Sequence, residues 1–230
     1  MTTGVKMQHA SAPLRRAGTG LALERGEVAT ACRDLYRRGW MPGTAGNVSV
    51  RTGEGIVISA SGRAKGTMSR QDTVVVALDD GRPLHGESER PSAETSIHLA
   101  VYREVPEAGA VVHAHAPYAT TVASGPGAAG QVAFDDWELA KGLGVPDPSR
   151  VAVPVFANRS DVPRIAGDLV AHLRAAPGPA VPALLISRHG VTTWGRDLTE
   201  ATNRLECVEM LCRLVLLAGG TAAHEQEDVL

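Results

Sequence analysis

The stretch GAVVHAHAPYATT, residues Gly109–Thr121, carries two histidines at the end of an apolar run. The paired valines before the histidines favour a buried strand, and Pro117 indicates that the strand has ended by that point. Side chains two residues apart on a strand point to the same face of its sheet. His113 and His115 are therefore expected to project side by side where a buried strand gives way to a loop. From that position two imidazoles can bind one ligand together.

A third histidine has a similar setting. The run ALLISRHG, Ala183–Gly190, predicts a strand and a tight turn at Gly190, so His189 also lies where a strand ends. Three neutral imidazoles are typical of catalytic zinc, which keeps a fourth position for water or substrate. Zinc is favoured over magnesium or calcium because nitrogen ligands would predominate. Iron, manganese and cobalt stay open, as does the reading of His113 and His115 as core residues bonded to backbone carbonyls.

Three short polar loops predict an anion pocket. They are the GTAGN run at 43–47, the SGR run at 61–63, and Ser92, which could cap a helix that opens at PSAE. Backbone N–H groups, hydroxyls and an amide in such loops can converge on phosphate oxygens. No P-loop pattern is present, so a nucleotide is not implied. Ordinary turn chemistry would explain any one loop, but three of them beside a metal site favour a phosphorylated small molecule.

The length and composition limit the classes of protein to which the chain can belong. A chain of 230 residues fits one domain. Its net charge of -2 and the lack of a block of like charges argue against a nucleic-acid surface. The 3 cysteines form no CxxC pair, which indicates a reducing compartment. We expect no signal peptide and no membrane span, and hence a cytoplasmic protein.

Periodic helical and strand patterns follow one another along most of the chain. Together they predict one α/β domain in which helices cover both faces of a mixed sheet. The expected helices lie at 21–38, 118–123, 136–143, 162–173 and 197–217, and the expected strands at 56–62, 74–78 and 151–156. Residues 21–218 are expected to form the single domain, after a disordered lead-in at 1–20 and before a flexible tail at 219–230.

Several strings together resemble the class II aldolase and adducin family, over about residues 21–217. The His-x-His, Arg-His-Gly and GTAGN strings are similar across that family. WELAKGL and the TWGRDL run are similar to its methylthioribulose-1-phosphate dehydratase branch. The strings are GWMPGTAGNVSVR, ISASGRAKG, PSAET, EAGAVVHAHAP, WELAKGL, VPVFANRSDVP and SRHGVTTWGRDLTEA.

The resemblance implies a three-layer α/β/α fold with a central mixed, largely antiparallel sheet. It also implies a homotetramer with active sites at subunit interfaces, and one Zn²⁺ per subunit on His113, His115 and His189. Glu138 in WELAKGL corresponds to the proposed acid/base of the dehydratases. Glu94 in PSAET corresponds to the glutamate that serves the aldolases as metal-site carboxylate and base.

The resemblance further implies a set of substrate contacts. Ala93 departs from the aldolase pattern, in which a second serine often stands, so that contact is missing or replaced. The positions that match the phosphate-binding residues of the aldolases are Thr44, Gly46, Asn47, Ser61, Gly62 and Ser92.

The implied reaction is the dehydration of 5-methylthio-D-ribulose 1-phosphate to 2,3-diketo-5-methylthiopentyl 1-phosphate in methionine salvage. It would proceed by metal stabilisation of an enediolate and by carboxylate acid/base catalysis. The alternatives are a fuculose-phosphate-like class II aldolase and a pentose-phosphate 4-epimerase. Both usually draw on a tyrosine from a neighbouring subunit or the tail, and this tail has none. A non-catalytic adducin-like module is the remaining alternative, although its metal triad would be degraded.

Overall fold

The computed structural model describes residues 20–84, 86–125, 128, 130–145, 147, 149–176 and 180–219. The α-helices in these ranges are α1 Gly20–Arg37, α2 Thr95–Glu104, α3 Pro117–Val122, α4 Val162–Ala175 and α5 Leu198–Leu217. The strands are β1 Asn47–Arg51, β2 Ile56–Ser59, β3 Thr73–Val76, β4 Ala110–Ala114, β5 Gln131–Ala133, β6 Ala152–Phe156, β7 Ala183–Ile186 and β8 Gly190–Gly195. Short 3₁₀ helices occupy Lys65–Thr67, Arg70–Asp72 and Glu138–Leu143.

The strands form one sheet in the order β3-β2-β1-β4-β8-β7-β6-β5. Only β6 and β7 pair in parallel, and every other neighbouring pair in this sheet is antiparallel. The predicted mixed, largely antiparallel sheet is confirmed. His113 on β4 lies opposite Asn47 of β1 on one side and Thr192 of β8 on the other. Because residues directly opposite in antiparallel strands share a face, these three side chains form a row across the sheet.

Helices cover both faces of this sheet, as predicted, which gives three layers. Because successive residues of a strand face opposite ways, Val111 and Val112 of β4 belong to two different apolar clusters. The cluster around Val112 contains Leu35 of α1 and Leu205 of α5. The cluster around Val111 contains residues of α2 and α4. It lies on the same face of the sheet as His113, which is two residues further along β4.

Two glycines let neighbouring backbones approach the end of β4 that bears the histidines. Gly46 has φ +78°, and a Cβ there would lie 2.9 Å from the carbonyl oxygen of His113. A Cβ on Gly190 would lie 2.3 Å from the carbonyl oxygen of Ala114. Neither contact is possible without moving the backbone, so both glycines set how closely β1 and β8 flank the histidine strand.

Three local expectations need correction. Ser92 does not cap α2, which begins at Thr95 with Glu94 at the N-cap position and no side-chain cap. The helix expected at 136–143 is a 3₁₀ helix that begins only at Glu138, and Asp136 cannot belong to it because its φ of 59° is left-handed. The tight turn expected at Gly190 lies just before it, and Gly190 is the first residue of β8.

The chain ends lie largely beyond the described ranges. The predicted lead-in at 1–20 and tail at 219–230 fall outside them except for Gly20 and Gly219, so both stay predictions. Within the described ranges, no helix has the length and apolar character needed to cross a membrane.

Candidate metal centre

The three predicted histidines lie together at one edge of the sheet. His113 is the penultimate residue of β4, His115 follows its end, and His189 belongs to the turn between β7 and β8. Their ring centroids are 5.2 Å apart for His113 and His115, and 4.9 Å apart for each of the other two pairs. The rings meet edge to face, and one nitrogen of each ring lies within 4.8 Å of a nitrogen of the other two.

Glu94 completes this group from the start of α2. Its Oε1 lies 2.7 Å from Nε2 of His189, and its Oε2 lies 3.3 Å from Nε2 of His113. Each of the four residues offers a ligand atom, and these atoms all lie within 4.8 Å of one another. Only the family resemblance predicts Glu94 as a metal-site carboxylate, since nothing near it in sequence shows that α2 begins beside the histidines.

The nitrogen atoms of this group fit a divalent metal ion. Among the described side chains, Nε2 of His113 is a buried polar atom without a hydrogen-bond partner, and it faces this group. A buried polar atom left unpaired costs about 1–3 kcal/mol, so such atoms need an explanation. Three imidazoles and a carboxylate are a donor set that zinc and related divalent ions accept.

β8 also orients His113. Nδ1 of this histidine lies 2.9 Å from Oγ1 of Thr192, its partner across the strand pair. A metal-binding histidine usually has such a partner on its second nitrogen, which fixes the ring and its tautomer. The contact leaves Nε2 as the ring nitrogen that faces the group.

The electrostatics of the group keep its ligand atoms available at neutral pH. Burial, reinforced by the neighbouring histidines, lowers the pKa of His113 to about 4, although Glu94 opposes this. Burial also lowers the pKa of His115. For Glu94, burial alone would raise the pKa, but His113, His189 and Asn47 together hold it well below its usual range. At neutral pH, His113 and His115 are therefore uncharged and Glu94 is a carboxylate.

The loops predicted to bind phosphate are adjacent, and a buried lysine links them. Nζ of Lys65 donates to the backbone oxygens of Thr44, at 2.9 Å, and Arg63, at 3.0 Å. Ser61 N–H donates to the carbonyl oxygen of Arg90, just before the Ser92 segment. The sequence does not indicate a role for Lys65, because its burial follows from contacts between loops, whereas its neighbours in sequence suggest an exposed turn.

Two predicted phosphate ligands contact Glu94. Asn47 Nδ2 donates to Oε2 of Glu94 at 2.5 Å, and Ser92 Oγ accepts from the backbone N–H of Glu94 at 3.3 Å. Gly46 is buried next to the backbone of His113. The remaining predicted phosphate ligands are exposed, namely Thr44, Ser61 and Gly62.

Glu138 does not join the metal-binding group. Its side chain is 85% exposed and pairs with Nζ of Lys141 at 2.7 Å. It follows β5, which runs antiparallel to β4 and is separated from it by β8, β7 and β6. The carboxyl ends of β4 and β5 therefore lie at opposite edges of the sheet.

The family model for the Class II Aldolase and Adducin N-terminal domain matches residues 26–216. The chain belongs to this family. A relative from Nocardia farcinica named "Probable bifunctional methylthioribose-1-phosphate isomerase/methylthioribulose-1-phosphate dehydratase" is 52% identical over 205 residues. The match covers 88% of this chain but only 37% of that relative.

Relatives of similar length are also found. The methylthioribulose-1-phosphate dehydratase of Microcystis aeruginosa is 42% identical over 194 residues, which are 83% of this chain and 94% of that protein. Among solved structures, L-fuculose-1-phosphate aldolase from Thermus thermophilus matches this class II aldolase fold with a TM-score of 0.68 at 26% identity. That match covers 87% of this chain and 96% of the aldolase.

Proposed function

We propose that this protein dehydrates 5-methylthio-D-ribulose 1-phosphate to 2,3-diketo-5-methylthiopentyl 1-phosphate, a step of methionine salvage in the cytoplasm. The observation that carries the proposal is the convergence of Glu94 with the three histidines, whose ligand atoms lie within 4.8 Å of one another. The names of the relatives support this reaction over others that the family fold hosts.

We propose zinc as the resident ion, one per subunit, held by His113, His115 and His189 with Glu94 beside them. The mainly nitrogen donor set supports zinc over magnesium or calcium. When bound, the ion supplies a Lewis acid for the ketone oxygen of the substrate.

The proton transfers belong to two carboxylates. The reaction removes a proton from C3 and expels the C4 hydroxyl, which takes up one proton and leaves as water, so no net proton is gained or lost. The C3–C4 enol that remains becomes the diketone by losing its hydroxyl proton and gaining one on C4. Glu94 is a carboxylate at neutral pH and lies beside the proposed metal ligands, so it is suited to take the C3 proton. We assign to Glu138 the proton that helps the C4 hydroxyl leave.

Glu138 can serve this reaction only from a neighbouring subunit. Glu138 lies beyond the end of β5, at the edge of the sheet opposite the histidines. Its side chain is highly exposed, so it can enter the site of another copy. This requirement supports the expected homotetramer with active sites at subunit interfaces.

The phosphate of the substrate would bind at the three adjacent loops. Thr44, Ser61 and Gly62 are exposed there, whereas Asn47 and Ser92 bond to Glu94 and Gly46 is buried beside His113. Lys65 adds a buried positive charge to loops that otherwise offer neutral donors.

Mass measurement after incubation with the ketose phosphate tests the proposal. A product lighter by one water is expected, and His189→Ala should abolish it. His172→Ala, which changes a histidine on α4 that contacts Phe156, is the matched control and should retain turnover. Two carbon fragments would identify an aldolase, and inversion at C4 without a change of mass would identify an epimerase. A metal-free protein without turnover would indicate an interaction module.

A further inference from the structure

A continuous chain of buried hydrogen bonds leads from Glu94 into the core between α2 and β1. Asn47 Nδ2 bonds to Glu94 at 2.5 Å, and Asn47 Oδ1 lies 2.5 Å from Nε2 of His98. Nδ1 of His98 lies 2.7 Å from Ser49 Oγ, which lies 2.8 Å from the hydroxyl of Tyr102. His98 and Tyr102 share one face of α2, Glu94 at the N-cap position precedes His98 by four residues, and Asn47 and Ser49 share one face of β1.

In this series of hydrogen bonds, which atom donates and which accepts is determined at every link from Glu94 to Tyr102. A carboxylate only accepts hydrogen bonds, so Asn47 must turn its NH₂ group to Glu94 and its oxygen to His98. Nε2 of His98 must then carry the hydrogen, and Nδ1 must accept from Ser49. Ser49 in turn accepts from Tyr102. Each donor has one acceptor, and reversing any link would leave a buried group unpaired.

Burial prevents water from replacing these contacts. Asn47 is 3% exposed, Tyr102 is 2% exposed, and both Ser49 and His98 have no exposed surface. Burial, reinforced by His113, lowers the pKa of His98 to about 3. The ring therefore stays neutral, as the series of hydrogen bonds requires. Tyr102 stays a hydroxyl, since burial raises its pKa.

We propose that His98 is a positioning residue for Glu94, because its Nε2–H holds the Asn47 amide in the orientation that donates to the carboxylate. This inference rests on the proposed role of Glu94 in proton transfer. Without His98, the Asn47 amide can rotate and Glu94 loses its fixed donor. The reacting carboxylate then samples orientations that cannot take a proton.

Two substitutions separate positioning from packing. In His98→Gln, the side-chain NH₂ reaches the place of Nε2–H, so the bond to Asn47 is retained. In His98→Asn, the shorter side chain reaches only the place of Nδ1, so that bond is lost. We expect His98→Asn to lower kcat by about 10- to 100-fold, the loss usual when a group that orients a functional side chain is removed.

A change in kcat without a change in KM would identify a loss of Glu94 positioning. KM and metal content should stay near the parent values in His98→Asn, and His98→Gln should recover most of kcat. Equal losses of kcat in the two variants, an unchanged kcat in His98→Asn, or a loss confined to KM would overturn the proposal.

A measurement on the unmodified protein covers the case in which His98→Asn fails to fold. In ¹⁵N NMR of histidine-labelled protein, assigned with His98→Gln, the His98 ring should carry its proton on Nε2. A proton on Nδ1 would overturn the proposal whatever the kinetics show. If the Nε2–H form is found but the parent does not dehydrate the ketose phosphate, the reaction is wrong while the orientation of Glu94 stands.

Discussion

Glu94 and Glu138 are both expected from sequence to act as acid/base groups, yet the fold places them in opposite surroundings. The Glu94 side chain is 12% exposed and contacts two histidines and Asn47. The Glu138 side chain is 85% exposed and has a surface lysine as its partner. One chain therefore builds only the metal-side half of the proposed site. If Glu138 acts as proposed, the other half comes from a second copy.

The surroundings also determine what each carboxylate can do alone. Contacts with His113, His189 and Asn47 keep Glu94 ionised and fixed in place. The pair between Glu138 and Lys141 is solvent-exposed, and such pairs contribute only about 0–1 kcal/mol. Glu138 can therefore leave Lys141 at little cost when another molecule approaches.

Replacing Glu94 should have the largest effect. Glu94→Gln is expected to lower kcat by about 10²–10⁴-fold, the usual contribution of a positioned acid or base. Steady-state kinetics on metal-loaded protein measure this loss. Glu107→Gln, an exposed glutamate before β4, is the matched control. Turnover of Glu94→Gln near that of the control would remove Glu94 from the proton transfers.

Replacing Glu138 should cost most of the turnover but leave metal and fold intact. The test of its location is to refold Glu138→Gln chains together with His189→Ala chains. Each parent oligomer should be inactive, but mixed oligomers contain sites with an intact metal group from one chain and Glu138 from another. Activity should therefore return on mixing. If Glu138→Gln is impaired and mixing restores nothing, Glu138 does not act across an interface.

A smaller effect is expected at the partner of His113. Thr192→Val keeps the shape of the side chain but removes the bond to Nδ1, and metal affinity should fall by about 10- to 100-fold. Competition with a chromogenic chelator measures that affinity. Thr193→Val is the control, because its hydroxyl bonds to the carbonyl oxygen of Ala201 on the other face of β8. Equal affinities in the two variants would show that Thr192 does not support the metal site.

The smallest predicted effect concerns pH and stability. The pKa of buried His98 is about 3, so the folded state resists a proton that the unfolded chain takes up near pH 6.5. Below that pH, the unfolded state binds more protons, and His98 should cost up to about 1.4 kcal/mol of unfolding free energy per pH unit. Among the titratable groups that act on His98, His113 deepens this shift and Glu94 opposes it.

Urea unfolding of the metal-free protein at pH 7 and pH 5 measures this cost. Stability should fall more steeply with acid in the parent than in His98→Gln, which has no ring to protonate. Parallel pH profiles for the two proteins would contradict the buried, neutral state of His98.

The histidine positions could be predicted because they depend on local rules. Two residues separated by one on a strand share a face, and a histidine beside a glycine turn lies at a strand end. The mixed sheet was predictable from the same periodic patterns. These rules use only residues that are close in sequence.

The features that the sequence did not predict depend on contacts between residues that are distant in sequence. The role of His98 requires α2 to pack on β1, and the burial of Lys65 requires two loops to meet. The separation of Glu138 from the histidines follows from strand order, which a local pattern does not specify. Ser92 has a capping side chain, but its segment turns so that Glu94 takes the N-cap position.

Anomalous X-ray diffraction from crystals of the metal-loaded protein, collected at the absorption edge of zinc, tests the central claim most directly. One peak is expected among Glu94, His113, His115 and His189, with imidazole nitrogens about 2.0–2.1 Å away. A zinc peak elsewhere, or loaded crystals with no peak between these side chains, would contradict the account.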